Sequence, residues 1–455
     1  MSSKRLVTCS LRPLLRPQPC IFCQSHQQLQ SEHRYGLPNQ IPPKWHARAV
    51  GSNSRRYYAT QRLDVKSLRT DVDKRNRVGF YTLTKTQGIL KMEPHTADSI
   101  IADFLHQRSN MDHGSNIQRL AKKYQLDIED LSSLAIVTFM IPDLSDPNKK
   151  AMLPPSQHKT ISSHLLQGCA QAEDPLAIIQ VLSAVHLSTS SSHVSAKEIA
   201  RFFSQTEIAK YRKTLEKLAT KAKSFALGPD ALTLQGLLLE REGHHQKAKE
   251  LLQEAVLRSH LKFNPKSRHP MQLQLTAPWN ALGFLLKADK DTGTQAEAKK
   301  YFEQGAREGD DPLSCYELSA FEPRTSTEWL RYTSKAAASG HRQAMVNLAD
   351  FYQEANSRDS AILKHSSMRK ALNWLLSWRR GSAARLAQEW LQAAANTGHK
   401  PSMLKLVDQY EAEGEIERAK EQLRQVLEPP SSANQVEEWP QLVHLAKKRL
   451  AGVKT

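Results

Sequence analysis

Side chains able to do chemistry are sparse in this sequence of 455 residues. Cys20 and Cys23, in "CIFC", have the spacing of half a zinc site, where one tight turn supplies two of four thiolate ligands. No second pair follows, so the site stays incomplete. The three other cysteines, Cys9, Cys169 and Cys315, are isolated; the last two read as small apolar fillers of a core. The stretch 70–79, "TDVDKRNRVG", opens with the alternating carboxylates of a calcium loop. Arg75 then stands among the ligand positions, and no late acid closes the cage. His244 and His245 are adjacent and read as a solvated turn rather than a metal pair. A Gly-rich phosphate loop, His-Glu-x-x-His and a nucleophile elbow are all missing. The expectation is therefore a binding protein with no catalytic residue, no cofactor and no metal.

Two cationic groups have chemistry of another kind. One runs through 210–224 with Lys210, Arg212, Lys213, Lys217, Lys221 and Lys223, against a single acid, Glu216. The other holds Lys364, Arg369, Lys370, Arg379, Arg380 and Arg385 close to Trp374 and Trp378. Cations beside aromatic rings can hold phosphates and stack bases. On that reading Lys213, Lys217, Arg369, Lys370, Trp374, Trp378, Arg379 and Arg380 would contact RNA. The plainer reading puts the tryptophans in a core and the cations on a solvated face, where long stems cover apolar surface without a ligand. The sequence favours the plainer one.

The net charge of +18 is unevenly spread. Residues 1–60 carry nine Lys and Arg and one acid, Glu32, and so supply +8 of it. They are rich in Ser, Gln and Pro, without the continuous apolar stretch of a secretory signal. That composition predicts a mitochondrial transit peptide over 1–58; a disordered basic tail for nucleic acid is the alternative. The segment closes on "SRRYYATQ" (54–61), which resembles the end of fungal mitochondrial presequences and places cleavage near Tyr57 or Tyr58. With so few cysteines outside that segment, no disulfide framework is indicated, which suits the matrix or the matrix face of the inner membrane.

What must position any binding residues is a repeat. "KAAASGHRQAMVNLADFY" (335–352) returns as "QAAANTGHKPSMLKLVDQY" (392–410). Extended leftwards, the phrase is Tyr332-x-x-Lys335-Ala336-Ala337-x-x-Gly340, then Trp390-x-x-Ala393-Ala394-Ala395-x-x-Gly398. Upstream it is Tyr301-x-x-Gln304-Gly305-Ala306-x-x-Gly309. The ring is predicted to pack against a neighbouring helix, the small pair to let a helix approach, and the glycine to end the helix in the left-handed conformation. New helices then start with residues four apart, Ala344, Leu348 and Tyr352, then Ser402, Leu406 and Tyr410, a spacing that makes a largely apolar stripe. Leu232, Gly236, Leu239, Gly243, Ala248, Leu252 and Ala255 follow the spacing of a tetratricopeptide repeat. Trp279, Leu282, Gly283 and Leu286 with Ala298 and Phe302, and Tyr410, Gly414, Ala419, Leu423 and Val426, make two more units. Together 228–428 resembles the Sel-like subfamily of tetratricopeptide repeats, although 312–340 is irregular and 353–389 carries an insertion. The resemblance implies a non-enzymatic scaffold whose groove takes protein partners as peptide or helix. It would serve as an assembly factor for a respiratory complex or the mitochondrial ribosome. Partner contacts are expected from Asn280, Asn347, Asp350 and Lys405 on the first helices of the repeats.

The predicted fold is all-α, an α-solenoid of stacked antiparallel hairpins. Residues 59–92 show no sustained periodicity and read as a loosely ordered lead-in. Residues 93–225 form an N-terminal helical region, with "LAIVTFMI" (134–141) a buried helix or strand and helices at 159–187 and 195–225. Residues 226–455 form the repeat region, with an inserted helix at about 358–389. A capping helix near 439–450 turns Leu442, Leu445 and Leu450 inward and Lys447, Lys448 and Arg449 to water. No stretch approaches the roughly 20 apolar residues of a membrane span.

Overall fold

The computed structural model describes residues 65–107, 111–144, 152–190, 193–221, 226–259, 269–289, 291–357, 360–377, 381–429 and 437–452. The basic segment 1–58, with Cys9, Cys20 and Cys23, lies outside them. Among the described residues there are 21 helices and no strand, in keeping with the all-α solenoid expected. No helix among them is long and apolar enough to cross a membrane. The chain divides into two compact units, Ala59–Asp310 with Pro429–Pro440, and Asp311–Glu428 with Gln441–Thr455.

The first unit opens with α1 (Val65–Thr86), where the sequence predicts a loosely ordered lead-in. The stretch 70–79 that starts like a calcium loop is part of this helix. Its buried stripe is polar: Arg69, Asp73, Arg77 and Tyr81, each four residues after the last, then Thr84. Arg69 bridges Asp73 at 2.9 Å and Asp143 at 2.7 Å, and Arg77 pairs with Asp98 at 2.8 Å. The Tyr81 hydroxyl lies 2.7 Å from Thr138 Oγ1. Apolar Val65 and Leu68 stay 46% and 39% exposed. An apolar-periodicity test fails on this helix because its period-four stripe is made of charges satisfied in pairs.

α2 (Pro94–Gln107), α3 (His113–Tyr124) and α4 (Ile128–Phe139) follow. The run at 134–141 resolves as helix as far as Phe139, with Met140 as its C-cap, and every residue from Leu131 to Phe139 is buried within α4. The helical span expected at 159–187 is two helices, α5 (His158–Gln171) and α6 (Pro175–Ser190). Glu173 takes a left-handed φ of 62° at the break. Asp174 caps the second helix, accepting from the Ala177 N–H at 3.0 Å and the Ser132 hydroxyl at 2.7 Å. α7 (Val194–Ala200) and α8 (Gln205–Thr220) complete the N-terminal helices. Their shared core runs from Tyr81 through Phe104, Leu134, Leu165 and Ile179 to Tyr211.

Hairpins then succeed one another. α9 (Gly228–Arg241) pairs with α10 (His245–Arg258), and α11 (Pro278–Lys287) with α12 (Thr292–Glu308). In the second unit α13 (Pro312–Ser319) pairs with α14 (Thr327–Ala338). α15 (Arg342–Ala355) pairs with α18 (Ser382–Asn396) across an insertion holding α16 (Ala361–Lys364) and α17 (Ser366–Leu376). α19 (Lys400–Ala412) pairs with α20 (Ile416–Leu427), and α21 (Pro440–Leu450) ends the unit. Within each unit successive hairpins also touch, so each apolar face is covered by the next copy.

The repeat phrase packs one residue out of step with its reading. Tyr301, Tyr332 and Trp390 are only half-buried. The core position is the next residue, Phe302, Thr333 or Leu391, together with Ala298, Trp329 or Ala387 four earlier. Large and small side chains exchange places between these two positions: Ala298 precedes Phe302, but Trp329 precedes Thr333. The small pairs are buried throughout, from Gly305–Ala306 to Ala394–Ala395. Gly340 and Gly398 take φ of 92° and 85° as expected. Gly309 does not: its φ is −89°, and Asp310 makes the left-handed turn at 52°. In the terminal helix Ala446 is the wholly buried residue, while Leu442, Leu445 and Leu450 are partly covered. Arg449 is drawn back onto Asp408 at 2.7 Å and Glu411 at 3.3 Å instead of facing water.

Candidate functional site

The repeat of the second unit forms a cleft of about 300 Å³ between α15, α18 and α19, lined by Ala349, Asp350, Gln353, Ala387, Leu391, Lys405, Asp408 and Gln409. Local sequence explains its walls. Gly340 turns the chain and His341 caps α15, its Nδ1 accepting from the Ala344 N–H at 3.3 Å. The His341 ring stacks on Tyr316 with centroids 4.2 Å apart. Burial holds the His341 pKa below the ordinary histidine value, against the pull of Glu317 and Asp311, so Nδ1 stays free to accept. At the matching place His399 Nδ1 lies 2.7 Å from Ser402 Oγ, and burial lowers that ring's pKa as well. Behind it Lys400 is buried and donates to the Glu428 carbonyl at 3.1 Å.

The floor is small and apolar: Ala349 and Ala387 are each 4% exposed and Leu391 is 3%. Across it Lys405 Nζ meets Asp350 Oδ1 at 3.0 Å, with both side chains about half exposed, at 52% and 51%. A pair so open to water contributes roughly 0–1 kcal/mol, and either partner can exchange it for another charge at little cost. Asp408 is held by Arg449 at 2.7 Å. Gln409 Oε1 is buried and makes no hydrogen bond, an acceptor turned away from water. The cleft thus offers an apolar floor, two carboxylates, one ammonium and two carboxamides, suited to a peptide or helix that brings an apolar side chain and polar flanks.

Of the expected partner residues, Asp350 and Lys405 line this cleft and touch each other. Asn347 lies one turn before Asp350 on α15 and accepts from Gln343 at 3.1 Å. Asn280 belongs to the first unit and is 1% exposed, so it sits in the core of its hairpin rather than on a binding face. Sequence reading missed Gln353, Asp408 and Gln409. Offsets of three and four along one face, from Asp350 to Gln353 and from Lys405 to Asp408 and Gln409, were the available signal.

The two cationic groups belong to different units. Lys213 and Lys217 are exposed and four apart on α8. Arg369 and Lys370 are exposed on α17, and Arg369 Nε donates to the Leu363 carbonyl at 3.0 Å. Trp378, Arg379 and Arg380 lie outside the described residues, as does the Trp374 side chain. Cys169 and Cys315 are buried and in no disulfide, and burial pushes the Cys169 thiol pKa far up, which keeps it protonated. His244 and His245 are exposed in their turn. No group of three or more His, Cys, Asp or Glu among the described residues is placed to hold a metal ion.

A second, polar recess of about 400 Å³ in the first unit is lined by Asp112, Gly114, Ser115, Gln118, Gln171, Glu207, Lys210 and Tyr211. Glu207 closes a capping box with Ser204 at the start of α8. Burial raises its pKa, but hydrogen bonds from Gln167, Ser204 and Gln171 outweigh that and leave it below the usual carboxylate value. The recess is therefore lined largely by groups already engaged in capping. No protein-family model matches the chain, and no curated protein matches it.

Proposed function

We propose that this protein is a non-enzymatic helical-repeat adaptor of the Sel-like kind, imported into mitochondria, where it holds a protein partner in the cleft between α15, α18 and α19. The observation that carries the reading is an apolar alanine floor crossed by a half-exposed Asp350–Lys405 pair. That combination gives an incoming peptide an apolar seat and an exchangeable charge at its edge. The acid-poor, Ser-rich segment 1–58 supports import, and the scaffold reading suits a factor assembling a respiratory complex or the mitochondrial ribosome. Proximity labelling from a C-terminal tag tests compartment and neighbours together. Neighbours should be mitochondrial, and Lys405→Glu should lose a subset that Lys420→Glu, on the exposed face of α20, retains. Labelling outside mitochondria, or identical neighbours for both variants, would overturn the reading.

A second reading, RNA binding, draws support from Lys210, Lys213 and Lys217 exposed together on α8. Crosslinking would then recover RNA whose binding weakens steeply between roughly 50 and 200 mM salt.

A further inference from the structure

Between α10 and α11 the described residues 269–277 hold no helix or strand and lie against the N-terminal helices. His269 Nδ1 accepts from the Met271 N–H at 3.2 Å, which leaves the proton on Nε2. Nε2 lies 2.8 Å from the Ser133 hydroxyl on α4. Four residues on, the Leu273 N–H donates to Gln180 Oε1 on α6 at 2.9 Å. The segment enters through a turn, the Gln272 N–H donating to the His269 carbonyl at 3.0 Å, and Met271, Leu273 and Leu275 all pack on the N-terminal core.

Two details set this strap apart from ordinary loop packing. Gln180 is 3% exposed in the middle of the otherwise apolar run "PLAIIQVL" of α6, and its carboxamide oxygen is committed to a main-chain N–H. A clamp on main chain holds any extended peptide, whatever its side chains. The fit is also incomplete: Gln272 is 4% exposed, yet neither its Oε1 nor its Nε2 makes a hydrogen bond. A buried carboxamide left unpaired is a standing cost, which a residue of another type at that place would relieve.

We infer that residues 269–275 are an internal ligand covering a peptide-binding surface on α4 and α6. The partner this surface fits is a peptide with a turn at its leading end, apolar residues at the places of Met271, Leu273 and Leu275, and a small or apolar residue in place of Gln272. It is clamped by Gln180 at the main chain and by Ser133 at its leading end. Being tethered, the strap competes at a millimolar-scale effective concentration, so the surface is closed until a better-fitting segment displaces it.

The test uses the full chain and a labelled peptide of sequence 269–277. Leu273→Asp puts a charge into the apolar seat and should free the surface. Anisotropy should show the peptide binding this variant at least about tenfold more tightly than the unaltered chain. A peptide carrying the same Leu→Asp change should not bind. An opened variant that keeps its helix content yet binds both peptides alike, or neither, overturns the inference. Gln180→Leu is the second variant, because it deletes only the clamp. The amides of 271–275 should then exchange about fivefold faster or more, the worth of one hydrogen bond, with α4 and α6 unchanged. Protection lost from strap and helices together would mean that the segment is simply core, and would overturn the inference even if Leu273→Asp fails to fold.

Discussion

Gly283 decides how closely α11 and α12 approach. A Cβ added there would stand 2.6 Å from Phe302 Cζ and 2.7 Å from Cε1. Ordinary contact between carbons is about 3.5–4.0 Å, so ring or helix must move by about 1 Å. Phe302 is 0% exposed and has no open side to swing into. Overpacking of this kind costs about 1–3 kcal/mol. Alanine returns up to about 1 kcal/mol as a better helix former than glycine. With the ring locked, the upper part of the overpacking range applies, and Gly283→Ala should destabilise the hairpin by about 2 kcal/mol. Gly236 makes the comparison. Its added Cβ would meet the Leu252 side chain at 2.9 and 3.0 Å, atoms that can rotate away, so Gly236→Ala should cost less than about 1 kcal/mol. Hydrogen exchange in 278–287 and 292–308 reads the local opening directly, and urea unfolding at constant m reads the total. Phe302→Leu should reduce the penalty of Gly283→Ala, a favourable coupling of about 0.5–3 kcal/mol in a double-mutant cycle. If Gly283→Ala leaves exchange in both helices unchanged or slower, close helix approach is not what the glycine provides, and the packing argument for the repeats fails.

Three more outcomes follow from the first unit. Asp98→Ala leaves Arg77 buried without its partner and should cost about 3–5 kcal/mol, seen as faster exchange throughout α1; Arg77→Met with Asp98→Leu should recover most of it. Gly79 has nothing within 4 Å of where its Cβ would lie, so Gly79→Ala should raise the thermal midpoint, by up to about 1 kcal/mol of added helix stability. Burial lowers the pKa of His186 and His269 to about 4, below the 6.5 of a free histidine, so the unfolded chain binds more protons between those values. Their contribution to stability should therefore be intact above pH 6.5 and fall as pH drops towards 4. Burial raises the Asp174 carboxyl and opposes the trend at the acid end, and His269→Gln should flatten the thermal-midpoint profile across that window.

Much of the hairpin series was legible because its apolar residues obey a period that burial enforces. Leu232, Leu252, Leu348, Leu406 and Leu423 are 3% exposed or less. The phrase itself misled by one residue: Tyr332 and Trp390 catch the eye, but rings half out of the core are only its rim. Helix α1 was illegible for a different reason. A buried stripe of Arg69, Asp73, Arg77 and Tyr81 looks like a solvated face until Asp143, Asp98 and Thr138 arrive from elsewhere in the chain. Asn280 shows the converse, an amide that reads as a binding residue yet is buried inside its own hairpin.

The sequence by itself determined that the chain is helical, that hairpins recur, and where most of them turn. Those properties depend on residues within a few positions of one another, through side-chain period and glycine conformation. Only the tertiary structure decided that Asp350 faces Lys405 across an alanine floor, and that 269–275 lies under the clamp of Gln180. Contacts between residues 55 and 93 positions apart depend on how helices stack, and no local spacing along the chain encodes that.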